Sequence, residues 1–99
     1  MDVHFTRNGL DFVWNADKAV ANVRKHGIRF EAASLVFLDP FVLFGDASVG
    51  GELREAAIGQ SEGLKLVFVV HMACEGEEIR IISAREATSR ERRDYENNA

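Results

Sequence analysis

Residues 10–27 read LDFVWNADKAVANVRKHG, and a change of periodicity inside them decides the fold. Leu10, Phe12 and Trp14 alternate with Asp11 and Val13, the two-residue period of a strand. Asn15 carries the short oxygen-bearing side chain that caps a helix N-terminus, and Gly27 can take the left-handed backbone that closes one. The spacing predicts a strand over 10–14 followed at once by a helix over 16–26. In that helix Ala16, Ala19, Val20 and Val23 share one face, which is expected to meet the core. Lys18, Asn22 and Lys25 fall on the opposite face, with His26 at the flank between them.

Outward from this stretch, a second short helix is expected from about Phe30 to Phe37, ending before Pro40. Strands are expected over 41–44, 53–58, 64–71 and 78–84. Gly-Gln-Ser-Glu-Gly from Gly59 and Cys-Glu-Gly-Glu from Cys74 separate them as hairpin loops. The run from Leu64 to Val70 becomes apolar on both faces, the pattern of a central strand. Thr88 and Glu91 form a capping box at the head of a polar helix over about 89–97, with Tyr95 able to anchor it. Helices segregated from hairpin-linked strands define an α+β class: an antiparallel sheet, two N-terminal helices packed on one side, and a short C-terminal helix.

Composition narrows what such a domain can do. The 99 residues suit one domain, 1–99, and 46% hydrophobic with 28% charged residues is the balance of a globular chain. The longest apolar run, Leu66 to Val70, is too short to span a bilayer, and the N-terminus carries no secretory pattern. Cys74 is the only cysteine, which excludes an internal disulfide and suits a reducing, cytoplasmic setting. No P-loop or dinucleotide-binding glycine pattern is present. His4, His26 and His71 are scattered, with only Cys74 near one of them, so no metal ligand set and no cofactor is expected. The net charge of −4 means that any nucleic-acid site must be a local basic patch on an acidic body.

Three groups of residues can carry chemistry. Between Asp17 and Arg29 lie the cations Lys18, Arg24, Lys25 and Arg29 against the single acid Asp17, with His26 in addition. They can hold phosphates, or they can be a solvated helix face. Glu52 and Arg54, two apart in an expected strand, point to one face as either a base and phosphate clamp or a surface ion pair. Arg80 begins the apolar strand Arg80-Ile-Ile-Ser-Ala-Arg85 and needs a partner there, either a phosphate or a carboxylate such as Glu52 or Glu78. Arg85 lies where that strand leaves for the last helix.

Taken together, these residues resemble the BrnT family. The resemblance runs through Trp14-Asn-Ala-Asp-Lys-Ala19, Asn22, Lys25-His-Gly27, Phe30, Ala33, Val36-Phe37 and Asp39-Pro40. It continues through Gly51-Glu-Leu-Arg54, Gly59, the Leu66 to Val70 run, Arg80 to Arg85, Ala87-Thr88, Glu91-Arg92 and Tyr95. One departure concerns Arg29, which stands where the family commonly has a small capping residue before Phe30.

The resemblance implies a RelE-like fold and a ribonuclease toxin of a type II toxin–antitoxin system. It further implies neutralisation by a BrnA-type DNA-binding antitoxin, through which alone operator DNA is contacted. Carried onto this chain, Lys25, His26, Glu52, Arg54 and Arg80 become candidate catalytic residues, and Lys18, Arg29 and Arg85 candidate RNA-binding ones. In metal-independent cleavage, Glu52 or His26 can supply the base, and Arg54, Arg80 and Lys25 the charge stabilisation. A rival reading is a non-catalytic module that binds the antitoxin and helps it repress their operon.

Overall fold

The computed structural model describes residues 1–98, residue 75 by its backbone alone. Strands β1 (Asp2–Arg7) and β2 (Leu10–Asn15) lead into helix α1 (Ala16–His26), the one-turn helix α2 (Phe30–Ala33) and a 3₁₀ segment, Ser34–Leu38. Strands β3 (Leu43–Asp46), β4 (Glu55–Gln60), β5 (Leu66–Ala73) and β6 (Ile79–Glu86) follow, and helix α3 (Ser89–Asn98) closes the order. The six strands form one sheet in the order β1-β2-β6-β5-β4-β3.

The four strands after Pro40 pair antiparallel, as their hairpin loops require. The sheet as a whole is mixed, which corrects the antiparallel expectation: β2 runs parallel to β6, pairing Phe12 with Ile79 and Val13 with Arg80. β1 lies outside the expected elements altogether. Its signal is Asn8-Gly9, both at positive φ, a two-residue turn whose twist matches a hairpin. Strands β3, β4 and β5 each start two residues later than the pattern placed them.

The inner face of the sheet holds the main core: Phe12 and Trp14 from β2, Val67 and Val69 from β5, Ile81 and Ala84 from β6, under Phe30, Ala33 and Val36. Phe12 packs on Phe37 at 5.5 Å and Trp14 edge-on to Phe30 at 5.8 Å between ring centroids. Each such side chain, fully buried, contributes roughly 1.5–3 kcal/mol. The expected helix over 30–37 is α-helical for one turn only. Arg29 at its N-cap makes no side-chain cap bond, and the Ser34 hydroxyl donates to the Glu31 carbonyl where the backbone tightens to 3₁₀. On the outer face α3 covers a smaller cluster of Ile58, Leu66 and Tyr95.

Helix α1 has the expected ends, with Asn15 accepting from the Lys18 amide and Gly27 in the left-handed conformation. Its packing is rotated from the expected one: Ala19 meets the core and Lys18 and Lys25 stay exposed, but Asn22 and the valines exchange places. Asn22 is 6% exposed, whereas Val20 is 54% and Val23 42% exposed. The cause is the departure of β2 from the sheet at Asn15, which strips a neighbour from the far half of β6. The Asn22 amide takes that place: it donates to the Ala84 carbonyl and accepts from the Ala84 amide, at 2.9 and 3.1 Å, and donates to Ile28. A polar side chain thus completes the ladder, α1 lies along the edge of β6, and the valines turn outward.

Asp39 ties the two layers together. Its carboxylate accepts from the Tyr95 hydroxyl of α3, the Gln60 amide of β4 and the Phe41 amide. Gly59 lets these parts meet. A Cβ there would lie 2.9 Å from Val36 Cγ1 and 3.0 Å from the Val36 carbonyl oxygen. Gly59→Ala is therefore expected to destabilise the fold by about 1–3 kcal/mol, read as a lower denaturation midpoint with an unchanged slope.

Candidate active site

One irregularity in β6 decides which of its side chains share a face. Val70 pairs with Ser83, but His71 pairs with Ile81, so Ile82 is an extra, bulged residue. Opposed residues of an antiparallel pair point the same way. Val69 with Ala84, and His71 with Ile81, mark the buried inner face. Phe68 with Arg85, Val70 with Ser83, and Met72 with Arg80 therefore share the outer face. Without the bulge, Arg80 and Arg85, an odd five apart, would point to opposite faces. With it, both arginines flank Ser83 along one strand, roughly 13 Å apart at the usual rise per residue.

Each arginine is held by a carboxylate. Arg80 meets Asp2 in a forked pair, Nη2 to Oδ2 at 2.8 Å and Nη1 to Oδ1 at 3.4 Å, and not Glu52 or Glu78. Glu78 instead meets His4 at 2.8 Å. The hydrogen bonds from Arg80 hold the Asp2 carboxyl below its ordinary value. Arg85 makes a shorter fork to Glu91, at 2.8 and 2.9 Å, and lies over the Phe68 ring at 4.2 Å. Glu91 also accepts from the Thr88 amide, completing the expected capping box, and Arg85 keeps its carboxyl below the ordinary value. A planar guanidinium pinned between a carboxylate and an aromatic ring is oriented before any ligand arrives.

The remaining candidates border this face unevenly. Lys18, Lys25 and His26 of α1 line a shallow depression of about 210 Å³ with Asn22, Ile82 and Ser83. Arg54 lines a second depression with Met72, whose partner across the strands is Arg80. Glu52 and Arg54 lie in the loop before β4 rather than in a strand, yet they do pair, at 3.4 Å. The Arg54 Nε is buried without a hydrogen-bond partner. Arg29 stands apart, beside Gly27, Ala32 and Lys65, paired with Glu62 at 3.5 Å. The candidates thus fall into separate groups: Lys18, Lys25 and His26 beside Ser83, Arg54 with Glu52 beside Met72, Arg80 with Asp2, Arg85 with Glu91, and Arg29 elsewhere.

His71 belongs to the opposite, inner face. It is caged by Phe37 at 4.8 Å and Phe44 at 6.0 Å, its Nδ1 has no partner, and burial pushes its pKa down. Sequence reasoning missed Asp2, Phe68 and Ser83 as neighbours of the arginines. Only the bulge and the unexpected β1 bring them there. Among the described residues, no three histidine, cysteine or acidic side chains cluster as a metal site.

An α+β protein with a mixed six-stranded sheet and an arginine-bearing outer face defines the class. Residues 14–91 match the family "Ribonuclease toxin, BrnT, of type II toxin-antitoxin system". The chain belongs to that family. Among solved structures it is similar to the 1.1 Å crystal structure of the Brucella abortus ribonuclease toxin BrnT, with 27% identity and a TM-score of 0.59. The match covers 77% of this chain and 94% of that one. No curated protein matches the chain.

Proposed function

We propose that this chain is a metal-independent endoribonuclease that acts on the outer face of its sheet, inhibits translation, and is held silent by a BrnA-type antitoxin in the cytoplasm. The fold is read as RelE-like, and operator DNA is reached only through the antitoxin. The observation that carries the reading is the bulge at Ile82, which aligns Arg80, Ser83 and Arg85 on the open face beside the cationic edge of α1.

In this reading the RNA supplies its own nucleophile. Its 2′-oxygen attacks the adjacent phosphorus, the bond to the 5′-oxygen breaks, and a 2′,3′-cyclic phosphate remains. His26 or Glu52 takes the 2′-hydroxyl proton, and the leaving 5′-oxygen receives one from protonated His26 or from water. Arg80 exchanges Asp2 for the phosphate oxygens, joined by Arg54 and Lys25, as negative charge builds. Arg85 and Lys18 hold the flanking backbone.

The test is incubation of the purified chain with single-stranded RNA in excess chelator, followed by analysis of the ends. Cleavage leaving cyclic phosphate is expected. Intact RNA, or cleavage only on adding a divalent cation, overturns the mechanism. Intact RNA combined with undiminished operon repression alongside the antitoxin favours the non-catalytic module.

A further inference from the structure

The outer surface of α1 is not explained by RNA cleavage. Val20 and Val23, three apart and both exposed, lie next to Ala16 at helical spacing. Val20 also borders an open concavity of about 550 Å³ with Asp17, Ala21, Arg24 and Lys25. A stripe of aliphatic side chains edged by cations is thus presented to solvent on an eleven-residue helix, about 16 Å long.

We propose that this face is the docking site for an acidic amphipathic helix of the antitoxin, an assignment that rests on the toxin reading above. Charge complementarity selects that occupant. The concavity carries Arg24 and Lys25 against Asp17, a local positive excess, while the chain as a whole is at −4. An acidic segment is therefore attracted here and repelled by the rest of the body, which fixes its orientation and speeds its approach. The valines select a protein over RNA. Aliphatic side chains pack into the apolar stripe of a helix, whereas RNA is gripped by cations and by aromatic rings that stack on bases, and no Phe, Tyr or Trp occurs in α1. Two or three turns of partner helix match the length available.

Docking there also explains how the partner silences the site. Lys25 lines both the outer concavity and the depression shared with Lys18, His26 and Ser83. A carboxylate that pairs with Lys25 from outside removes it from RNA and covers one rim of the sheet face.

The double variant Val20→Glu/Val23→Glu tests this, measured by calorimetry against the product of the gene adjoining this chain's own. Both positions are exposed, so the fold tolerates the change, and far-ultraviolet circular dichroism verifies it. The dissociation constant is expected to rise roughly 100-fold, since two apolar contacts are replaced by like charges. Arg24→Glu is expected to weaken binding at least about tenfold at low salt and less at high salt. RNA cleavage is compared on the free Val20→Ser/Val23→Ser variant, which adds no carboxylate beside Lys25 and is expected to stay at the parent level. Unchanged binding overturns the proposal, as does retained binding with lost RNA cleavage, which would make α1 an RNA surface. If the parent does not cut RNA but the valine variant loses its partner, the docking site stands and only the ribonuclease reading falls.

Discussion

Arg80→Ala is expected to lower RNA cleavage about 10²–10³-fold while leaving the melting temperature close to that of the parent. The arginine is partly exposed and its forked partner Asp2 lies on an edge strand, so the fold loses only a surface ion pair. What is lost in the reaction is larger, because a guanidinium aimed at a developing phosphate charge cannot be replaced by water in the same position. Asp2→Asn provides the contrast. It releases Arg80 without removing it, so cleavage is expected to be retained. A single-turnover assay on both variants, with thermal melts alongside, separates the roles. A large fall in melting temperature for Arg80→Ala, with full activity in the folded fraction, would make the arginine structural.

The second large effect is expected at Asp39. Alanine there leaves the Tyr95 hydroxyl and the Gln60 and Phe41 amides without their acceptor. About 3–5 kcal/mol of stability should be lost, a fall in melting temperature of more than about 12 °C for a domain of this size. The same cluster contributes to both limbs of the fold's stability against pH. Burial raises the Asp39 pKa, but the bonds from Tyr95, Gln60 and Phe41 outweigh it and hold the group below its ordinary 3.8. A depressed carboxyl stabilises above its unfolded pKa, and that contribution is lost as acid drives the pH down through the folded one. Burial first, and Asp39 second, push Tyr95 from 10.0 up to about 12. A raised phenol stabilises fully below 10, and its contribution is lost as pH rises from 10 to about 12. Tyr95→Phe should therefore flatten the alkaline limb of a stability–pH curve. An unchanged limb would place the phenol outside the linkage.

Short-range chemistry was legible in this sequence and long-range pairing was not. The caps at Asn15 and Gly27 and the box at Thr88 and Glu91 are local, each contained within a few residues, and all form as read. The later strands lie within two residues of their expected bounds, because alternation and hairpin loops are local signals. The parallel contact of β2 with β6 has no local signature, since it joins residues at opposite ends of the chain. That contact is also why Asn22 and the two valines exchange places on α1. Periodicity counts apolar positions, but the edge of β6 needed a hydrogen-bonding partner, and Asn22 met that need where the valines could not. The site shows the same division. The arginines of β6 stand out as costly in an apolar strand, but their common face depends on one bulged residue. Glu52 and Arg54 pair as their spacing suggests, though in a loop.

Parallel insertion of β6 between β2 and β5 also has a consequence during synthesis of the chain. The hairpin of β1 and β2 leaves the ribosome first and has no strand to dock on until β6 follows, sixty-seven positions later for the pair Phe12 and Ile79. Contacts so distant in sequence close late and slowly. The strand that completes the sheet is the one that carries Arg80, Ser83 and Arg85, so the proposed site cannot assemble before β6 is made. An antitoxin made alongside thus has the whole translation time of its target in which to be ready.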